Sequence, residues 1–146
     1  MTQHDMTEHD PDIDSIIAML PPFAQHMGMT VSGLEDGLPV ISYDFGPGVT
    51  GRPGFLHGGA LSGLLEIAAY SALRTRIAQD GAKARLKPVN ITVDFMRGGR
   101  QHRTFALGKI TRLGQRVANV ESIAWQLDRR KIIAAARLNF LLKREG

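Results

Sequence analysis

The stretch His57-Gly58-Gly59-Ala60-Leu61-Ser62-Gly63-Leu64-Leu65-Glu66, running on to Ala78, decides the fold. Leu61, Leu64, Leu65, Ala68, Ala69, Ala72 and Leu73 recur at helical spacing, so residues 58–78 are predicted to form a helix. Its first three turns are apolar on most sides, which marks a helix wrapped by other structure rather than lying on a surface. Two glycines at its mouth leave backbone N–H groups uncovered where the helix dipole favours negative charge. Two turns further in, Glu66 stands among residues that would otherwise be ordinary core. A carboxylate there is costly unless it is paired or used.

Before the helix, residues 46–56 carry four glycines and two prolines and read as a loop. Residues 27–45 read as two short strands split by the turn Glu35-Asp36-Gly37. Residues 12–20 form a short amphipathic helix with Ile13, Ile16, Ile17 and Leu20 on one side, stopped by Pro21-Pro22. Residues 1–11 read as a disordered tail in which His4 and His9 are incidental, leaving residues 12–146 as one domain. Past Asp80-Gly81 the period changes to two: Val89, Ile91, Val93 and Phe95 alternate with Asn90, Thr92, Asp94 and Met96. Arg97-Gly98-Gly99-Arg100 reads as a turn, followed by strands over 104–111, 117–127 and 132–142. Four strands joined by tight turns should be antiparallel neighbours. An antiparallel sheet curled around one long helix, with a short N-terminal helix, is an α+β chain of the hot dog architecture.

Composition narrows the chemistry. At 146 residues, with 43% hydrophobic and 22% charged residues, the chain suits a globular core. No apolar run approaches a membrane span and no signal-peptide pattern opens the chain, so a cytoplasmic protein is expected. The absence of cysteine removes disulfides, thiolate ligands and a cysteine nucleophile. The net charge is +4 although five acids fall within the first 14 residues, so the folded body is more basic than the total. No helix-turn-helix spacing, zinc ligand set or aromatic platform accompanies that charge, and a phosphorylated small molecule fits better than nucleic acid.

Beyond these readings the chain resembles the hot dog thioesterases, specifically the PaaI-like (phenylacetyl-CoA thioesterase-like) group. The resemblance rests on His57-Gly58-Gly59 with Leu64, Glu66 and Ala68, on Thr92-Val93-Asp94-Phe95-Met96-Arg97, and on the turn Gly114-Gln115-Arg116-Val117. It covers roughly residues 25–142. It implies an acyl-CoA thioesterase in which Glu66 is nucleophile or general base. It also implies that the Gly59 N–H polarises the thioester carbonyl, and that His57 organises the loop or contacts substrate. Many members carry asparagine at the position of Gly51, and serine or threonine at that of Pro88. Asn90 or Thr92 is the candidate replacement for handling water. Arg97, Arg100, Arg112 and Arg116 stand at strand ends and turns, where coenzyme A phosphates need cations. No metal or redox cofactor is implied, and coenzyme A enters only as part of the substrate.

Helix geometry adds an expectation about assembly. Gly59 and Glu66 share a face but lie roughly 10 Å apart along the axis, while one carbonyl must sit about 3 Å from both donor and attacking group. A two-fold homodimer with antiparallel helices would join one chain's Glu66 to the other's mouth, and a dimer of dimers is the further option. The acyl pocket would then lie between the two helices, lined by Gly58, Leu61, Leu65 and Tyr70. Alternatives are a non-catalytic acyl-CoA-binding protein, an enoyl-CoA hydratase or dehydratase, and a Glu66 that merely pairs with Arg or His across an interface.

Overall fold

In this computed structural model the described residues are 12–145; the tail read over 1–11 lies outside them. Asp12 caps helix α1 (Ile13–Ala18), its carboxylate accepting from the Asp14 N–H at 3.1 Å and the Ser15 hydroxyl at 2.9 Å. Pro21-Pro22 ends α1, as read, but also starts a second short helix, α2 (Pro22–His26). Proline at the first helical position loses only an N–H that has no helical partner anyway. Strands β1 (Thr30–Glu35) and β2 (Leu38–Tyr43) form a hairpin. Asp36 and Gly37 both have positive φ, 52° and 76°, as a type I′ turn requires. The long helix α3 (Gly58–Gln79) follows, then β3 (Lys83–Phe95), β4 (Thr104–Leu113), β5 (Val117–Trp125) and β6 (Ala134–Glu145).

The six strands make one antiparallel sheet in the order β1-β2-β4-β5-β6-β3. One expectation is corrected here. β3 does not pair with β4; it pairs with β6 along its whole length, and β4 lies against β2 instead. The segment read as the turn Arg97-Gly98-Gly99-Arg100 is a crossing connection. It is held by contacts away from its flanking strands: the Leu56 N–H donates to the Gly99 carbonyl at 2.9 Å. Gln126 fastens its far side, accepting from the Arg100 N–H at 3.0 Å and donating to the Arg100 carbonyl at 2.9 Å. β3 is also six residues longer at its start than period two suggested, because Lys83 to Pro88 pair with the end of β6 despite their charge and proline.

Helix α3 lies on the concave face of the sheet, against Ile41, Tyr43, Ala106, Val120, Leu138 and Phe140. It comes closest at Gly108 of β4. A Cβ there would sit 2.8 Å from the Ala68 carbonyl oxygen and 2.9 Å from the Ala69 Cα, so only glycine permits this approach. Leu64, Leu65 and Leu73 are fully buried, and the helix leaves one stripe less covered: Gly59, Gly63, Glu66, Tyr70 and Arg74, at helical spacing. α2 lies partly over it, the Phe23 ring resting where Gly63 has no side chain. No helix among the described residues is long and apolar enough to cross a membrane.

Candidate functional site

The mouth of α3 is built by the loop before it. A short 3₁₀ turn (Pro47–Val49) leads into the segment 50–57. There the His57 N–H donates to the Val49 carbonyl at 2.8 Å and the Gly51 N–H to the Phe55 carbonyl at 3.0 Å. Gly54, with φ +81°, supplies the left-handed residue that this tight reversal needs. Gly51 packs on the turn it opposes, since a Cβ there would stand 3.1 Å from the His57 Cα. The absence of a side chain at position 51 is therefore part of how the loop closes onto His57.

His57 is the N-cap of α3, and its Nδ1 accepts from the Gly59 N–H at 2.8 Å. That bond places the neutral ring's proton on Nε2. It also commits the Gly59 N–H, which the resemblance offered as the oxyanion donor. The Gly58 N–H has no partner among the described residues, and it opens on an exposed surface beside the Phe95 ring. Gly59 is required by the ring: a Cβ there would lie 2.9 Å from its Nδ1 and Cε1. Tyr43 braces the same turn from below, its hydroxyl donating to the Ala60 carbonyl at 2.8 Å. Burial pushes that hydroxyl well above the ordinary tyrosine range.

Glu66 stands half-buried on the open stripe of α3, with neither a hydrogen bond nor an ion pair among the described residues. Tyr70, one turn on, shares the stripe; its hydroxyl accepts from Arg74 Nη1 at 3.0 Å. With Met19, Ser71, Arg74 and Thr75 it lines an open cavity of about 850 Å³ beneath α1. Leu61 and Leu65 are elsewhere. They are 3% and 0% exposed, packed between helix and sheet, and have no surface left to line an acyl pocket.

The remaining candidates divide by location. Asn90 and Thr92 pair with Asn139 and Arg137, on the face of the sheet turned away from α3. Asn139 donates to the Asn90 side chain at 2.9 Å and accepts from Asn119, forming a polar ladder on that outer face. Neither Asn90 nor Thr92 can handle water at Glu66, because the sheet intervenes. Arg97 follows Phe95 at the mouth end, its N–H donating to the Ile133 carbonyl at 3.1 Å. Arg112 and Arg116 flank the β4–β5 turn at the other end of the sheet, roughly 30 Å of strand away from the mouth. Nearer cations are Arg52 and Arg100, whose guanidiniums lie 4.0 and 4.4 Å from the centre of the Phe55 ring. Arg52 was hidden in a glycine- and proline-rich loop, and only its proximity to His57 in sequence could have singled it out. No three metal-ligating side chains gather among the described residues.

Residues 53–133 match the family model described as thioesterase superfamily. No curated protein matches the chain by sequence. Among solved structures, a mutant of the Pseudomonas aeruginosa thioesterase PA1618 is similar at 20% identity. The match covers 92% of this chain and 96% of that one, with a TM-score of 0.80. The Haemophilus influenzae thioesterase HI1161 is similar at 16% identity over 92% of each chain, with a TM-score of 0.79. A mutant of the Staphylococcus aureus thioesterase SAV0944 is similar at 22% identity, over 84% of this chain and 99% of that one, at 0.69. At these identities the structural likeness speaks to the fold.

Proposed function

The chain belongs to the thioesterase superfamily, and from that premise we propose that it hydrolyses an acyl- or aryl-CoA thioester to the free acid and coenzyme A. One observation carries the reading: Glu66 is a carboxylate without a partner on the open stripe of the helix whose mouth presents the unpaired Gly58 N–H. An acid placed without compensation costs stability, and a reaction that needs it accounts for the cost. The oxyanion donor in this reading is Gly58 rather than Gly59, whose N–H is spent on the His57 ring. His57 then acts as the cap that shapes the mouth. The carboxylate attacks the acyl carbon itself and expels the thiolate through a mixed anhydride, or it deprotonates the attacking water. Arg97, with Arg52 and Arg100, supplies cations beside the mouth for substrate phosphates.

Gly58 and Glu66 are eight residues apart, roughly 12 Å along the axis, which is too far for one carbonyl to meet both. A homodimer removes the difficulty. Ile91 and Phe95 of β3 pair with Leu138 and Ala134, which are buried, so they share the core face of the sheet. Yet Ile91 is 36% and Phe95 56% exposed, although the Phe95 ring lies beside Gly58 at the start of α3. A second copy joined at this edge would cover them with its own helix and bring its Glu66 toward the first mouth.

Complementation tests the reading. Glu66→Gln and Gly58→Pro, each inactive alone, would regain a sizeable fraction of wild-type thiol release when unfolded and refolded together. The mixed dimer then contains one intact composite site. If Glu66→Gln turns over every accepted acyl-CoA at the wild-type rate, the catalytic assignment fails. If the mixture stays inactive, the composite site fails.

A further inference from the structure

The open stripe of α3 does not end at Glu66. It continues through Tyr70 to Arg74 and into the cavity of about 850 Å³ beneath α1. Ile16, Met19 and Leu20 give that cavity an apolar wall, and Arg74 is the one cation among the described residues that line it. Arg74 forms no ion pair among the described residues. Neutral groups hold its guanidinium in place: Nη1 donates to the Tyr70 hydroxyl at 3.0 Å and Nη2 to the Met19 Sδ at 3.7 Å. A guanidinium carries five N–H donors, so two are used here and three are left. The Tyr70 hydroxyl, an acceptor in this bond, still has its own proton to donate. A fixed guanidinium fork and a neighbouring O–H, both half-buried beside apolar side chains, make a receptor for a carboxylate. The two acids at the cavity's rim do not fill it. Asp12 spends its carboxylate on the start of α1. Asp36 stands in the β1–β2 turn, which Gln79 holds at the far end of α3 by donating to the Gly37 carbonyl at 3.2 Å.

We propose that Arg74 and Tyr70 select thioesters whose acyl chain ends in a free carboxylate, a specificity that rests on the thioesterase reading above. In the composite site the coenzyme end is drawn to the cations of the mouth. The acyl end therefore runs the other way, along the stripe of the chain that supplies Glu66. Glu66 and Arg74 are eight residues apart, roughly 12 Å along the axis, and both side chains lean toward the helix N-terminus, so the spacing persists. A medium-length dicarboxylic acyl group spans it, with its carbonyl at Glu66, its methylenes against α1 and its free carboxylate at Arg74. A chain of equal length ending in a methyl group leaves the guanidinium desolvated without a partner. That is the mismatch a polar site rejects most strongly.

Suberoyl-CoA and octanoyl-CoA, equal in carbon number, are the probes. The wild-type chain should show a kcat/KM at least about tenfold higher for suberoyl-CoA, carried by KM. Arg74→Met should bring the two values together, and Tyr70→Phe should shrink their ratio severalfold. A ratio of two substrates on one protein is insensitive to any loss of folded material. A wild type that favours octanoyl-CoA, or a preference that survives Arg74→Met, overturns the proposal and leaves the thioesterase reading standing. Titration calorimetry of Glu66→Gln reads the same selection without turnover. Suberoyl-CoA should bind it at least about tenfold more tightly than octanoyl-CoA, and adding Arg74→Met should equalise the two. Equal affinities before Arg74 is changed overturn the proposal. If the wild type cleaves no thioester, the enzymatic reading falls while these affinities still decide the role of Arg74.

Discussion

β1 and β3 are the two edges of the sheet, and each presents backbone groups with no ladder partner on one side. β1 is six residues long, carries a bulge between Val31 and Gly33, and keeps Val31 buried. Short length and a bulge are common protections against edge-to-edge association. β3 is thirteen residues long and protected only over its first half, by Lys83, Arg85, Lys87 and Pro88. Its second half exposes Ile91 and Phe95 on the core side of the sheet. One edge is closed by its own design and the other is left as if for a partner. The same contrast separates the two faces of α3, one sealed against Gly108 and the other open along Glu66.

The largest expected effect isolates the chemistry from the edge. Glu66→Gln should lower kcat by about 10²–10⁴ while the sedimentation profile stays that of the wild type, because the change removes a charge and little volume. A parallel loss of oligomer would instead make Glu66 an interface residue. Next comes the edge itself. Ile91→Asp should shift the protein toward monomer in analytical ultracentrifugation and reduce turnover in step, whereas Ser32→Lys on β1 should alter neither. Equal effects from the two would erase the distinction between the edges. Smaller again is Gly59→Ala, whose Cβ would collide with the His57 ring at 2.9 Å. Losing that cap should cost about 1 kcal/mol, read as a lower midpoint in urea, together with reduced kcat from a displaced mouth.

The smallest effect is a pH-dependent one. Tyr43 has its hydroxyl pushed upward from the ordinary value of 10.0 by burial, so the folded state favours the protonated form. The stability it contributes is fully present below about pH 10 and lost as pH rises beyond, because only the unfolded chain then ionises freely. Tyr43→Phe should cost about 1 kcal/mol near neutrality. It should also flatten the fall of Tm between about pH 9 and 11 relative to wild type. Parallel Tm curves for the two proteins would show that ionisation of the buried Tyr43 hydroxyl does not govern the alkaline loss of stability.

The sequence made the helix and each strand visible because their periods are set by one-sided burial, which composition records residue by residue. Strand order was less legible. Arg97-Gly98-Gly99-Arg100 has every mark of a hairpin, and only the hydrogen bond from Leu56 to Gly99 and the grip of Gln126 reveal a crossing. Those contacts are tertiary and leave no local pattern. The same limit governed the site. The positions of His57, Gly58 and Gly59 at the helix mouth and of Glu66 two turns further in were legible because their spacing is local, while Leu61 and Leu65, expected to line a pocket, are buried against the sheet. Asn90 and Thr92 went astray by pleat alone, since neighbouring strand residues look to opposite faces.

The pairing of β3 with β6 also has a kinetic consequence. β4, β5 and β6 are consecutive and can assemble as a meander with short loop closures, whereas Lys83 must find Glu145 near the far end of the chain. Contacts so distant in sequence are slow to form. The edge strand should dock late, after the rest of the sheet exists to receive it. Assembly would then wait on the final step of folding, and a nascent chain would carry no finished edge with which to seize a neighbour.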